Sequence, residues 1–326
     1  MMGRRRKSNF DDPPRFHRKG RVWYHVSSTM PRVWTRLSDD RAEALRLWAQ
    51  REGVKEDDST RLFSVVARRY VREVLPTKSP CTRRDNGKEL ANLLRVFEHM
   101  PIDAITPMHI REYLDIRGQF AKVRANREKA LFSHIFNKAR EWGYTAMQNP
   151  CQGVRGFKET GRDRYVTDEE FERVKAHAHY TVVDAMDVAL LTGQRPADVL
   201  KIRQGDIRDG VLWIVQNKTG ARLGIEITGE LATVIERISQ RPRRIAGSYL
   251  IQDDGGQPLG SFSLRSRFDK ARKLAGVNFQ FRDIRAKTAT DTGDLAHSQK
   301  LLAHKNRGMT EHYVRAHSGA LVRPLR

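Results

Sequence analysis

At 326 residues the chain is too long for one small core, and two or three domains are expected. No apolar run approaches the roughly 18 residues that span a bilayer, and the Arg-rich start lacks a signal peptide's apolar core, so a soluble, intracellular protein with no membrane partner is expected. A net charge of +22 and a pI near 10.4 exceed what solubility requires and predict a polyanionic partner, nucleic acid first and an anionic membrane surface second.

Residues 1–14 carry Arg4, Arg5 and Arg6 and end in Pro13-Pro14, which reads as a basic arm tracking phosphates or as a solvated tail. Arg21 to Ser27 and Arg32 to Leu37 alternate with period two around Ser28-Thr29-Met30-Pro31, the pattern of a hairpin. Alternation puts Val22, Tyr24, Val26, Val33, Thr35 and Leu37 on one face. Arg21, Trp23, His25, Arg32, Trp34 and Arg36 fall on the other. An Arg-aromatic face suits insertion into a DNA groove; a structural hairpin with a charged outer face is the alternative. A helix is predicted from about Asp39 to Arg51, capped by Ser38, with Leu45, Trp48 and Ala49 covering the sheet.

Glu52 to Ser59 is polar and acidic and reads as a linker. From Thr60 to about Val154 the pattern is helical, over Leu62 to Val74, Arg83 to Glu98, Pro107 to Arg117 and Arg124 to Trp142. Arg83, Arg84, Lys88, Lys122, Arg124 and Arg127 are candidates for a DNA face, or simply a solvated one. Cys81 and Cys151 stand far apart without metal-ligand spacing, so reduced thiols are expected and no metal is assigned. Gly156 to Arg164 is charged and turn-rich, a second linker.

Beyond it, Thr167 with Glu170 forms a capping box, Val182 to Leu191 is apolar enough to be buried, and Gly193 ends that helix. Pro196 suits the first turn of the next helix, which leaves Arg195 at the junction. Two short strands, Val211 to Gln216 and Arg222 to Ile227, flank the turn Asn217-Lys218-Thr219-Gly220, and helices follow at about Glu230 to Ser239 and Ser261 to Leu274. In Leu301 to Arg315, the loop Lys305-Asn306-Arg307-Gly308 separates two helices, and His304 precedes Tyr313 by nine residues.

Each of these polar residues alone has an ordinary reading as a surface or helix-end group. Taken in order, Arg195 in LTGQRPAD, Lys218 in NKTG, Arg285 in FRDIR, then His304 and Tyr313, they resemble the tyrosine recombinase (phage integrase) family. The resemblance implies a multidomain, mainly α fold: a small N-terminal sheet plus helix, of arm-type DNA-binding kind, over 1–57; a helical core-binding domain over 58–155; and an α+β catalytic domain of the DNA breaking-rejoining type over 164–326.

Cutting a phosphodiester without a metal requires permanent cations on the phosphate oxygens, and guanidiniums bind two oxygens at once. The resemblance assigns that task to Arg195 and Arg285, nucleophilic attack to Tyr313 through a 3′-phosphotyrosyl intermediate, leaving-group protonation to Lys218 and a phosphate hydrogen bond to His304. Asp198 is expected to brace the site, and no cofactor is implied. The family's second box begins with histidine where Arg282 stands here. An arginine keeps its proton at neutral pH, so Arg282 is expected to support the site by bonding the phosphate, with a weakened or displaced acid-base role there. Double-stranded DNA, a homotetramer, a DNA-bending host factor, an excisionase and a phage or mobile-element role on DNA in a bacterial cytoplasm are implied with it. A type IB topoisomerase-like enzyme and a non-catalytic DNA-binding regulator of the same fold are the alternatives.

Overall fold

A computed structural model describes residues 12–52, 61–242, 245, 247–253 and 255–314. The basic arm with Arg4, Arg5 and Arg6, most of the first linker and the tail beyond Val314 lie outside the described residues. The chain divides into two units, 1–160 and 161–326.

In the first unit β1 (Phe16–Lys19), β2 (Val22–Val26) and β3 (Trp34–Arg36) form an antiparallel sheet in that order. The predicted hairpin is β2 with β3; β1 was not predicted, because its four residues, FHRK, carry a single apolar side chain. That side chain corrects the reading of the sheet. Phe16 stacks on Trp23 at 4.7 Å, and both join Leu37 and Ala44 in a small core beneath α1 (Arg41–Glu52). Trp23, expected on the DNA face, is thus only 5% exposed, and His25 beside it meets Glu52 at 2.6 Å. An indole buries more apolar area than valine, so the larger gain turns Trp23 inward. Tyr24 consequently shares the outer face with Trp34, at 6.0 Å between rings, and pairs across the strands with Arg36. Asp40 rather than Ser38 caps α1, accepting from the Glu43 amide at 3.0 Å; Ser38 instead donates to the Glu43 carboxylate at 2.6 Å.

A helical bundle completes this unit: α2 (Phe63–Glu73), α3 (Pro80–Phe97) and α4 (Pro107–Glu141), packed around Phe63, Phe97, Phe132 and Phe136. Ser79 caps α3 with Pro80 at its first position, where no amide is needed. Two helices predicted separately are joined in α4. Between them Ala121, at φ −156° and ψ 68°, breaks the helical path. The stretch after the bundle folds back on α4, where Asn126 brackets the amide and carbonyl of Phe157 at 2.8 Å each. The Phe157 ring sits against Gly118, where a Cβ would come within 2.1 Å of it.

The second unit contains α5 (Asp168–Ala176), α6 (Tyr180–Thr192) and α7 (Pro196–Val199). It continues with the antiparallel sheet β4 (Ile207–Arg208), β5 (Val211–Val215) and β6 (Arg222–Glu226), and with α8 (Gly229–Ser239) and α9 (Ser261–Leu274). Last come α10 (Ile284–Asp291), α11 (Leu295–Leu301) and α12 (Arg307–Glu311). The Thr167 and Glu170 capping box starts α5, and the buried α6 stops at Gly193, whose φ of +64° suits a residue without Cβ. Met186, Phe268, Phe279 and Ile284 lie in the core that supports the elements described next. No described helix is long and apolar enough to cross a membrane.

Candidate active site

Arg195 is the residue that caps α7, held between the left-handed Gly193 and Pro196. Its Nη1 donates to Gln216 Oε1 at 2.9 Å and stands 3.8 Å from Asp198. Asp198 is buried, and its Oδ1 accepts the Asn217 amide at 2.8 Å, which fastens the turn carrying Lys218 to α7. Lys218 itself remains exposed on that turn.

Arg285 enters from the first turn of α10 and is only 3% exposed. Nη1 donates to the Gly193 carbonyl at 2.5 Å, and Nη2 to the Leu302 carbonyl at 2.8 Å. Nη2 also lies 3.0 Å from His304 Nε2. A guanidinium only donates, so His304 Nε2 must offer its lone pair, and the ring proton sits on Nδ1, facing Thr310 Oγ1 at 3.0 Å. Burial, then the charges of Arg285 and Arg195, push His304 down to about 4, which keeps it neutral in this state. Burial and the nearby Arg195 likewise lower Arg285 to about 10, still a cation at neutral pH.

Tyr313, just after α12, is half-buried. Its ring centroid lies 5.3 Å from that of His304 and 5.4 Å from the Arg285 guanidinium carbon. Arg285, His304 and Tyr313 therefore form one cluster, with Arg195 and the Lys218 turn joined to it through Gln216. Arg282 does not join them by any described hydrogen bond or ion pair. It is exposed and lines a separate cavity with Pro196, Phe268, Arg272 and Gln280.

Three residues were missed by the sequence reading. Gln216 and Gln194, each 1% exposed, bond to one another at 2.8 Å behind Arg195. The available signal was position: Leu212 and Ile214 alternate inward along β5, and the same period puts polar Gln216 on the core side. Lys287, 1% exposed, meets Asp168 at 2.6 Å and Asp291 at 2.7 Å; burial pulls its pKa down, but bonds to these carboxylates and to Tyr165 win and raise it.

Of the candidate DNA-contacting residues in the first unit, Arg21, Arg32, Trp34, Arg36, Arg83, Arg84, Lys122, Arg124 and Arg127 are all exposed. Some already face intramolecular partners. Arg127 pairs with Glu159 at 3.0 Å, Arg84 with Asp85 at 3.6 Å, Arg124 approaches Glu89 at 3.9 Å, and Lys122 stands 6.0 Å over the Phe157 ring.

Residues 164–319 match the profile described as the phage integrase family. The integrase of Escherichia phage HK022 is 26% identical over 253 residues, spanning 72% of this chain and 70% of that protein. Across four such phage integrases the aligned stretch spans 64% to 70% of the relative. Among solved structures, a lambda integrase dimer bound to a COC' core site has a TM-score of 0.71 at 21% identity, covering 98% of this chain and 99% of that one. A lambda integrase tetramer bound to a Holliday junction has the same TM-score, 0.71, at 21% identity, covering 94% and 96%. These two likenesses speak to the fold, which is mainly helical with small antiparallel sheets.

Proposed function

We propose that this chain, whose residues 164–319 match the phage integrase family profile, is a tyrosine recombinase of that family and cuts and rejoins DNA at specific sites through Tyr313. Tyr313 gives up its phenolic proton to solvent as its oxygen attacks the scissile phosphorus, a 3′-phosphotyrosyl bond forms, and the bond to the 5′ oxygen breaks. Lys218 delivers the proton that the leaving 5′ hydroxyl needs. Arg195 and Arg285 neutralise the phosphate oxygens as charge builds on them; once the phosphate has displaced the contact with Arg285, the His304 ring takes its other neutral form, donating from Nε2 to a phosphate oxygen while Nδ1 accepts from the Thr310 hydroxyl. Bond energy is retained in the phosphotyrosyl link, so rejoining needs no external energy source. Asp198 braces the Lys218 turn.

The observation that carries this reading is Arg285. A guanidinium 3% exposed, 5.4 Å from the Tyr313 ring, donates to two carbonyls beside His304, and the carboxylate that favours its charge, Asp198, does so only through space and also adjoins Arg195. Two guanidiniums sharing one buried carboxylate leave an excess positive charge that is costly to bury unless a further anion completes the site, and a DNA phosphate supplies one. The exposed position of Arg282 favours a second reading, a DNA-binding regulator that does not cut.

Double-stranded DNA is the substrate. A lambda integrase tetramer bound to a Holliday junction supports an assembly of four copies on DNA, and the same reading has them exchange strands between two duplexes, assisted by a bending factor and an excisionase, in moving a phage or mobile element on DNA in the bacterial cytoplasm. The test incubates the wild type and Tyr313→Phe with a genomic library, traps covalent complexes under denaturing conditions and sequences the retained DNA. The wild type is expected to retain fragments that converge on discrete sites and the variant none. Retention of none by the wild type supports the regulator, and equal retention by both proteins removes Tyr313 as nucleophile.

A further inference from the structure

We propose that Gln216 is a positioning residue whose side-chain amide sets the relative placement of the Arg195 and Arg285 guanidiniums and ties the Lys218 turn to both. This rests on the reading of Arg195, Arg285 and Tyr313 as the strand-cutting site. Gln216 lies at the end of β5 and is 1% exposed. All four hydrogen-bonding positions of its amide are occupied. Oε1 accepts from Arg195 Nη1 at 2.9 Å and from Thr219 Oγ1 at 2.9 Å, and Thr219 is the residue after Lys218. Nε2 donates to Gln194 Oε1 at 2.8 Å and to the Leu302 carbonyl at 3.1 Å. That same carbonyl accepts Arg285 Nη2 at 2.8 Å, two residues before His304. Gln194 extends the brace by donating to the Thr192 and Leu301 carbonyls at 2.9 and 3.0 Å.

The chemistry of these partners determines which way the amide points. A guanidinium faces its oxygen and two carbonyl oxygens face its nitrogen, so a flipped amide would set donor against donor and acceptor against acceptor. The amide is also neutral. It aims Arg195 without cancelling the charge, whereas a carboxylate in its place would pair with the guanidinium and compete with the phosphate. The existing carboxylate, Asp198, stays 3.8 Å from Arg195 and is engaged with the Asn217 amide.

The experiment uses the full chain and a nicked suicide DNA substrate, with adduct formation measured in single turnover and DNA affinity measured separately. Absence of an adduct with the wild type overturns the strand-cutting reading and this proposal together. With a wild-type adduct formed, Gln216→Leu and the isosteric Gln216→Glu should bind DNA nearly as well but form adduct about a hundredfold more slowly, the scale of a misplaced catalytic group. Added to Arg195→Ala, Gln216→Leu should cost little more, because its effect runs through Arg195. The rate of Gln216→Glu relative to wild type should rise as pH falls, since a protonated carboxyl regains a neutral form. Rates within about threefold of wild type, losses that multiply with Arg195→Ala, or a relative rate flat with pH would each overturn the proposal.

Discussion

Burial of His304 beside two arginines decides which proton it carries and when. Held at about 4 in the folded protein against 6.5 ordinarily, the ring binds its proton less readily than in the unfolded chain. Between those values the unfolded state takes up the extra proton, so stability is lost as pH falls from about 6.5 toward 4 and is fully present above that window. Melting temperatures measured across it should drop for the wild type, and more gently for His304→Gln; parallel curves would remove His304 as the source. Of the site residues, those legible in sequence each sit in a short local context, such as Arg195 between Gly193 and Pro196. Gln216 was not legible as part of the site, because its partners, Arg195, Gln194 and Leu302, come together only when distant segments meet. Arg282 was read from its place in a motif, but its exposed position depends on the path of the turn Phe281–Asp283, which spacing does not specify.

Elements with end signals were the ones the sequence announced. The Thr167 and Glu170 box starts α5, Gly193 closes α6 and Pro196 opens α7, because capping chemistry is local. By contrast α10 escaped notice: Ile284 through Ala289 are all buried, so no polar face marks a helical period. Strand β2 was found but turned over, since period two identifies a strand without saying which face meets the core. Trp23→Ala should cost about 3 to 5 kcal/mol of stability in the first unit by denaturant unfolding. Unchanged stability with weakened DNA binding would restore Trp23 to the outer face. At the break in α4, Gly118→Ala would put a Cβ within 2.1 Å of the Phe157 ring. A loss of about 1 to 3 kcal/mol is expected, largely absent when Gly118→Ala is made on a Phe157→Ala background. Equal losses on both backgrounds would show that the contact is unimportant.

Over the whole molecule the charge of +22 sets the salt dependence expected of the proposed contact with DNA. The logarithm of affinity should fall linearly with the logarithm of salt, the slope losing roughly one unit for each phosphate-contacting cation removed. Among the described residues Arg36 has no carboxylate within ion-pair distance, whereas Arg127 already pairs with Glu159 at 3.0 Å. Arg36→Ala should therefore flatten the slope more than Arg127→Ala, as read by binding titrations at several salt concentrations; the reverse order would place DNA on the α4 face. The most direct measurement is to digest the covalent protein–DNA adduct and map the nucleotide-bearing peptide by mass spectrometry. The expected result is a 3′ phosphate on Tyr313. A nucleotide carried by any other residue, or no adduct from an active, DNA-binding wild type, would contradict the account.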